Sequence, residues 1–197
     1  MELLLIRHAR PFHVTDPSGV ADPQLTPDGE DQAARLGTAI AAGRYGPVHG
    51  MLSSPMRRAV QTAEPAAREL ALDIAVDDRL VELNHGWAEY GLASTAYTDR
   101  RALLDDMNAG RIAHRTFDPR DFQDRVIQGI DDVVNGSDQE SVAIVCHGGV
   151  INAYLSHVLG APRMFFTDPF YTSVSRLRAE PDGYREILSL NEVDHLR

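Results

Sequence analysis

Two histidines in this chain each follow a short apolar run, and the two runs lie near opposite ends of the sequence. Arg7 and His8 come directly after the run at residues 3–6, and His147 comes directly after the run at residues 142–146. An imidazole can act as a nucleophile, a proton carrier or a metal ligand, and a guanidinium binds anions through a planar fork of N–H groups. These residue types mark a candidate reaction site, provided that the fold brings them together.

The elements that would bring them together are two buried strands. Apolar runs of this length are typical of strands covered on both faces, as in parallel sheets, and ligands of open α/β sheets bind beyond the carboxyl ends of the strands. For residues 7 and 8 alone, the simpler interpretation is a strand that ends at the surface. The second run, which ends in His147-Gly148-Gly149 before an apolar helical stretch, favours two central strands that deliver a histidine to the same edge.

A further segment with cations begins with Ser-Ser-Pro at residues 53–55. Serine is a preferred N-cap and proline a preferred first residue of a helix, so the pattern predicts a helix with Ser54 as N-cap and Pro55 at its first position. Arg57 and Arg58 would then lie near the first turn, where cations and free backbone N–H groups together make an anion site. The simpler interpretation is that both arginines are solvated surface residues, and the helix pattern alone does not distinguish between them.

The rest of the pattern predicts an α/β fold, a three-layer α/β/α sandwich with a mostly parallel central sheet that is mixed at one edge. Thr26 and Pro27 predict the start of a helix that Gly43 closes, and Pro65 is expected to end or kink its own helix near Glu64. The other predicted elements are a loop at 9–25, strands at about 48–52, 73–76, 171–177 and 184–190, a hairpin turn at 181–183, and helices at about 122–136 and 150–159.

The stretch at about 84–119 breaks this pattern, because it is irregular and holds one predicted short helix at about 95–108. Loops of this length are usually functional or disordered. We interpret the stretch as a lid over the carboxyl edge of the sheet, inserted into a single domain that spans residues 1–197.

Composition and charge limit the partners and the compartment. The net charge of −10 argues against nucleic acid and against an anionic membrane as partners, since both attract basic surfaces. All 19 basic residues are arginines, which leaves arginine as the anion-binding cation. We expect neither a membrane-spanning segment nor a secretory leader, because the apolar runs are short and the first residues lack a basic stretch. The one cysteine, Cys146, lies in an apolar run. We therefore expect a cytoplasmic protein in which Cys146 is a packed, inert thiol.

Five segments together resemble the histidine phosphatase superfamily, which is also called phosphoglycerate mutase-like. They follow the order of the family's motifs over essentially the whole chain, and the block at residues 53–63, Ser-Ser-Pro-Met-Arg-Arg-Ala-Val-Gln-Thr-Ala, is the most specific. Within this block Arg58 matches the family's arginine, whereas Arg57 stands at a variable position, so the resemblance implies that Arg58 serves the site and Arg57 lies in solvent. The other four segments are Leu4-Leu5-Ile6-Arg7-His8, Leu25-Thr26-Pro27-Asp28-Gly29, Leu80-Val81-Glu82 with Gly86, and Cys146-His147-Gly148-Gly149-Val150.

The resemblance implies a nucleophilic histidine, an anion clamp and an acid. His8 would attack phosphorus and become a phosphohistidine, with a backbone carbonyl holding its other ring nitrogen protonated. Arg7, Arg58 and His147 would bind the phosphoryl oxygens, and these cationic surroundings would keep His8 neutral. Glu82 would protonate the leaving oxygen and later activate water, which requires a pKa raised by burial; the simpler interpretation is a surface carboxylate. No cluster has the spacing of metal ligands, so no metal and no other cofactor is expected.

The chain departs from the family pattern beside the nucleophile. Ala9 replaces the usual glycine, Arg10 replaces an acidic or amide residue, and Val14 stands where many members have an asparagine. Arg10, His13 and Thr15 are therefore additional candidates for binding the phosphate.

The wall near the lid departs from the pattern as well. Residues 88–90 are Ala-Glu-Tyr, where many phosphatase members carry Glu-Gly, so the part of the pocket that selects the substrate is expected to differ. His85, three residues after Glu82, is a candidate flank of the site or contact to the substrate.

The leading interpretation is a metal-independent phosphomonoester hydrolase that acts on a small phosphorylated metabolite. A phosphoglycerate-mutase-type phosphotransferase is the alternative enzyme. It needs a longer cap and extra cations, whereas residues 84–119 hold few: Arg100, Arg101, Arg111 and Arg115. A non-catalytic phospho-ligand binder on the same fold predicts loss of the nucleophile or the acid, and His8 and Glu82 are both present. A homo-oligomer is compatible with the sequence, but no pattern specifies one.

Overall fold

The two apolar runs form neighbouring strands at the centre of a six-stranded sheet. The structure, a computed structural model, describes residues 1–16 and 19–197; residues 17 and 18, in the predicted loop at 9–25, lie outside the described residues. The strands of this sheet are β1 (Glu2–Arg7), β3 (Gly50–Ser53), β4 (Ile74–Val76), β8 (Ser141–Cys146), β9 (Val174–Ala179) and β10 (Arg185–Glu192). Their order is β10-β9-β1-β8-β3-β4. β1, β8, β3 and β4 are parallel, and the hairpin of β9 and β10 is antiparallel, which confirms a mostly parallel sheet with one mixed edge.

Helices cover both faces of this sheet. They are α1 (Pro27–Ala41), α2 (Arg57–Leu70), α3 (Leu92–Ala96), α4 (Arg100–Asn108), α5 (Pro119–Gly136) and α6 (Gly148–Leu159), with 3-10 turns at Asp78–Leu80 and Asp194–Leu196. Side chains alternate between the faces of a strand, so Leu4 and Ile6 pack against α1 and α2, while Leu3 and Leu5 pack against α5 and α6. This alternation produces the predicted three-layer sandwich. Within residues 1–16 and 19–197, no helix has both the length and the apolar character needed to cross a membrane.

The first helix follows the sequence signals, but the second begins later than predicted. Thr26 caps α1 by accepting a hydrogen bond from the Gly29 N–H. The prediction of Ser54 as the N-cap of α2 was wrong, since α2 begins at Arg57 and its N-cap residue is Met56, which gives no side-chain hydrogen bond. The physical reason is a substitute cap, because the Asp22 carboxylate accepts from the Arg57 N–H at 3.0 and 3.1 Å.

α2 continues past Pro65 to Leu70, so the prediction that the helix ends near Glu64 was wrong. A proline inside a helix removes one backbone hydrogen bond and crowds the preceding turn. Here α2 lies tightly against α1: a Cβ placed on Gly37 would stand 2.8 Å from Pro65 Cβ and 2.9 Å from the Ala66 backbone nitrogen. The tertiary contact between the two helices therefore outweighs the local preference to stop.

The 84–119 segment contains more regular structure than the single predicted helix. Its helical part is divided into α3 and α4, and the Asp99 carboxylate caps α4 by accepting from the Arg101 N–H. Two small sheets complete it: β2 (Val14–Thr15) pairs with β5 (Glu89–Tyr90), and β6 (Arg111–Ile112) pairs with β7 (Arg115–Thr116). The β2–β5 pair attaches the start of the segment to the loop that follows the first histidine.

Candidate active site

His8 and His147 lie side by side because of the register between β1 and β8. Arg7 is opposite Cys146 in this parallel ladder, and the His8 N–H extends it by donating to the Cys146 carbonyl at 2.9 Å. The histidine side chains therefore leave the sheet at one edge, with their ring centroids 5.1 Å apart. Both side chains are buried.

The hydrogen bonds of His8 specify its tautomer. Its Nδ1 lies 2.7 Å from the Ala9 carbonyl oxygen, and the Arg58 Nε–H donates to its Nε2 at 3.3 Å. A guanidinium nitrogen can only donate, so Nε2 is the unprotonated ring nitrogen and Nδ1 donates its hydrogen to Ala9. His8 thus presents an electron pair at Nε2 toward Arg58.

The surroundings of His8 favour its neutral form. Burial is the main cause that lowers the pKa of His8 well below its usual range, and the charges of Arg58 and Arg7 lower it further. The hydrogen bond to Ala9 acts in the opposite direction and is the weakest of these effects. The cations therefore act as predicted, but desolvation has the larger effect.

His147 joins the start of α6 to the end of β3. It is the N-cap residue of α6, and its Nε2 lies 2.8 Å from Ser54 Oγ. Burial, followed by the charge of Arg58, lowers the pKa of His147 well below its usual range. Ser54, which we predicted as a helix cap, orients this imidazole instead.

Three buried side-chain nitrogens around His8 have no hydrogen-bond partner among the described residues: Arg7 Nε, Arg58 Nη1 and His147 Nδ1. Arg58 is fully buried, and its Nη1 lies 3.5 Å from Asp22 Oδ1, in an ion pair without hydrogen-bond geometry. Buried polar groups are nearly always paired, and oxyanions pair well with guanidinium and imidazole donors. The arrangement can therefore bind an oxyanion next to His8 Nε2.

Glu82 is held at the amino end of α6. One carboxylate oxygen accepts from the Leu83 N–H and the other from the Gly149 N–H, both at 2.9 Å. The approach requires glycine at position 149, because a Cβ there would lie 2.1 Å from Glu82 Oε1. Arg125, which sequence reasoning missed, supports the same loop by donating to the carbonyls of Arg79 and Val81. Its signal was a cation between Phe122 and Val126 on the buried face of α5.

Two tyrosines cover the cations: Tyr90, from the stretch that the sequence analysis placed in the pocket wall, and Tyr171, which sequence reasoning did not assign to the site. Arg58 Cζ lies 4.6 Å from the ring centroid of Tyr90, and Arg7 Cζ lies 4.3 Å from that of Tyr171. The His8 ring is 5.6 Å from the Tyr171 ring. Burial is the main cause that raises the pKa of Tyr90, so its hydroxyl stays neutral and its ring presents a π-face to the guanidinium.

The additional candidates are distributed between the site and the surface. His13 lines the cavity next to the site and lies beside the Tyr90 ring. Arg10 is exposed and pairs with Asp28 on α1, and Thr15 is exposed in the β2–β5 pair. Neither lines the cavity, and that Arg10, His13 or Thr15 binds the phosphate stays a prediction.

Two further residues of the sequence analysis also lie outside the cavity. His85 is exposed and does not line it. Arg57 donates to Gln24 at 2.8 Å and is separate from the buried guanidinium of Arg58, as predicted. Among the described residues, no group of three or more His, Cys, Asp or Glu side chains is arranged to hold a metal ion. That the chemistry needs no metal stays a prediction.

A cavity of about 570 Å³ extends from Arg7 and Glu82 toward the 84–119 segment. Side chains of this segment, including Trp87, Tyr90 and Tyr97, form much of its wall. A group attached to an oxyanion bound at His8 would therefore lie between the carboxyl edge of the sheet and this segment.

A family model described as the histidine phosphatase superfamily (branch 1) matches residues 3–193. The chain is 31% identical over 203 aligned positions to the bifunctional protein Rv2228c of Mycobacterium tuberculosis, covering 98% of this chain and 54% of that protein. It therefore spans about half the length of that curated relative. It is also 28% identical over 168 positions to a probable phosphoglycerate mutase, GpmB, of Erwinia tasmaniensis, covering 82% of this chain and 76% of the relative.

A solved structure has a similar fold. The mycobacterial glucosyl-3-phosphoglycerate phosphatase Rv2419c, in complex with VO3, superposes with a TM-score of 0.78 over 98% of this chain and 99% of that one, at 20% identity. At this identity the likeness concerns the fold, which places a six-stranded sheet and its flanking helices in the same arrangement.

Proposed function

Because the chain belongs to the histidine phosphatase superfamily, we propose that it hydrolyses phosphomonoesters through a phosphohistidine formed on His8. The observation that carries this proposal is the unprotonated Nε2 of His8 beside the unpartnered guanidinium donors of Arg7 and Arg58 and the unpartnered Nδ1 of His147. A neutral imidazole is the nucleophilic form, and donors prearranged around a phosphoryl group stabilise the charge that it carries in the transition state.

In the first step, His8 Nε2 forms a bond to phosphorus while the ester oxygen leaves. Arg7, Arg58 and His147 bind the phosphoryl oxygens, and Glu82, in its acid form, gives the leaving oxygen its proton. In the second step, Glu82 takes a proton from water, the water oxygen bonds to phosphorus, and the P–N bond breaks to release phosphate and regenerate His8. The support is positional, since Glu82 shares the start of α6 with His147.

The arginines of the 84–119 segment favour hydrolysis over a mutase reaction, because they are already paired with carboxylates. A mutase would have to hold another phosphate in this region, and its cations would have to be available. Each candidate already lies in an ion pair with a carboxylate: Arg100 with Asp168, Arg101 with Asp105, Arg111 with Asp106, and Arg115 with Glu89. A requirement for a bisphosphate primer would contradict this preference.

The nucleophile is tested by trapping the intermediate. We expect 4-nitrophenyl phosphate to leave a phosphoryl group on the enzyme when the reaction is quenched within milliseconds in alkaline denaturant, where a phosphohistidine survives, and intact-mass measurement should detect this adduct. The His8→Ala variant should lose this adduct and at least about 10³-fold in kcat, because the nucleophile is absent. Phosphate should still bind to the variant through Arg7 and Arg58. Retention of most of the activity by His8→Ala would contradict the assignment.

The role of Glu82 is tested by varying the leaving group. A general acid matters most when the leaving oxygen is a poor leaving group, so Glu82→Gln should lower kcat/KM much more for an alkyl phosphate than for 4-nitrophenyl phosphate. Glu89→Gln, in the wall of the same cavity, is the control and should not change that ratio. An equal loss for both esters in Glu82→Gln would indicate that Glu82 only supports the α6 start.

A further inference from the structure

The outer part of the cavity has a largely apolar wall. Beyond Arg7 and Glu82, aromatic and aliphatic side chains from the 84–119 segment face the chain before β9. They are Trp87, Tyr90, Leu92, Tyr97, Leu103, Leu104, Met107, Ile112, Phe170 and Tyr171. Such a surface favours an apolar group, because burying apolar area removes it from water.

The formal charges on the same wall are mainly negative. Outside the phosphate position, where Arg7 and Glu82 are proposed to act, this wall holds the carboxylates of Glu89 and Asp168 and the guanidinium of Arg100. A second anionic group on a substrate would therefore meet more carboxylates than guanidiniums there. Like charges at short range cost free energy unless a cation compensates them.

The two cations that could compensate such a charge, Arg7 and Arg100, are both paired with Asp168. One of its oxygens accepts from Arg7 Nη1 at 2.9 Å, and the other lies 3.4 Å from Arg100 Nη2. Arg7 Nη1 also donates to the Pro169 carbonyl. Arg7 is therefore already paired through Nη1, while its buried Nε has no hydrogen-bond partner among the described residues, and Arg100 lies in an ion pair with Asp168 in the cavity wall.

We propose that the pocket binds phosphomonoesters of an uncharged, largely apolar alcohol; this inference rests on the proposed function. In the same proposal, Asp168 is the specificity-determining residue that excludes esters with a carboxylate on the alcohol. The mycobacterial phosphatase with the similar fold is named for a substrate that contains phosphoglycerate. The wall of this pocket argues for a different preference.

The preference is measured with alkyl esters, so that leaving-group chemistry is similar among them. Glycerol 1-phosphate and 3-phosphoglycerate form a matched pair that differs in a hydroxymethyl group against a carboxylate, and 3-phenylpropyl phosphate adds an apolar ring. We expect kcat/KM to be at least about 10-fold lower for 3-phosphoglycerate than for glycerol 1-phosphate, and at least about 10-fold higher for 3-phenylpropyl phosphate.

Asp168→Asn should free Arg100 from its ion pair. The ratio of kcat/KM for glycerol 1-phosphate to kcat/KM for 3-phosphoglycerate should then fall by about 5- to 10-fold. Asp105→Asn is the matched control: Asp105 is as exposed as Asp168 and also pairs with arginines, but it does not line the cavity, so the ratio should stay at the wild-type value. The double variant Asp168→Asn/Arg100→Ala should return the ratio of the two kcat/KM values to that of the wild-type protein.

The possible results separate this inference from the proposed function. If no ester, including 4-nitrophenyl phosphate, is hydrolysed, the proposed function fails. The proposed substrate class is wrong if the esters are hydrolysed but kcat/KM for 3-phosphoglycerate equals or exceeds that for glycerol 1-phosphate. It is also wrong if kcat/KM for 3-phenylpropyl phosphate is no higher than that for glycerol 1-phosphate. If Asp168→Asn and Asp105→Asn change the ratio equally, the role of Asp168 is wrong.

Discussion

Arg58 shows the conflict between binding and stability at the scale of a residue. Its guanidinium is fully buried, and burial is the main cause that lowers its pKa. Its charged partner, Asp22, is 38% exposed, and its Nη1 has no hydrogen bond among the described residues. Taking a charge out of water without full compensation costs free energy. The site therefore carries a destabilising group that an oxyanion would compensate.

Replacing the Arg58 side chain should lower catalytic efficiency and raise stability. Arg58→Met should lower kcat/KM by about 10²- to 10³-fold, because one transition-state donor is lost, while the free energy of unfolding without ligand rises by about 1 kcal/mol. Initial rates measure the loss in kcat/KM and urea unfolding measures the change in stability; added vanadate should stabilise the wild-type protein but not the variant. Arg57→Met, one residue away at the surface, should retain activity. A large loss of stability in Arg58→Met would contradict this account.

Apolar runs placed the residues that leave the sheet, and the family resemblance placed Glu82, but neither showed that two tyrosines cover the arginines. His8 and His147 follow uninterrupted apolar runs, so their strands and their common edge could be predicted. Tyr90 and Tyr171 reach the cations only because two irregular segments return over the sheet, and no local pattern encodes that return. The Asp22 cap of α2 was missed for the same reason.

At the scale of elements, the contact between α1 and α2 explains both why Pro65 is tolerated and why Gly37 is needed. Gly37→Ala would raise helix propensity at an ordinary position, but here the new methyl would lie under 3.0 Å from Pro65 Cβ and the Ala66 nitrogen. We expect it to lower the free energy of unfolding by about 1–3 kcal/mol through overpacking.

The control for this prediction is another helical glycine. A Cβ at Gly136, the last residue of α5, meets nothing within 4 Å, so Gly136→Ala should change stability by less than about 1 kcal/mol and in the favourable direction. Thermal and urea unfolding of the two variants compare them directly. Equal effects would mean that the two helices separate more easily than the structure indicates. The helix-stop prediction at Pro65 failed because propensity is local and this contact is not.

At the scale of the whole molecule, a buried chain of hydrogen bonds connects distant segments behind the site. Tyr45 OH lies 2.7 Å from His195 Nδ1, and His195 Nε2 lies 3.0 Å from Thr172 Oγ1. The Thr172 N–H donates to the Arg7 carbonyl, and its left-handed backbone, with φ of 58°, follows Tyr171. This chain therefore supports the turn that places Tyr171 over Arg7.

The same chain should make stability depend on pH. Burial, followed by the charge of Arg44, lowers the pKa of His195 from 6.5 to about 4, so the unfolded chain binds a proton more readily between these values. The contribution of neutral His195 is then fully present above about pH 6.5 and is lost as the pH falls toward 4, by up to about 3 kcal/mol. His195→Gln, which can form hydrogen bonds but does not titrate there, should show a shallower decline in urea unfolding between pH 7 and 4. An identical decline would contradict the prediction.

The parallel pairing of β1 with β8 has a consequence for how the protein acquires activity. The two imidazoles become neighbours only when the first strand docks beside a strand from the last third of the chain, which is a late and entropically demanding event in folding. Partly refolded species without that docking would have helices and hydrophobic clusters but no turnover. Recovery of catalysis after dilution from denaturant should therefore lag behind recovery of circular dichroism, and the delay would time the closure of the chain.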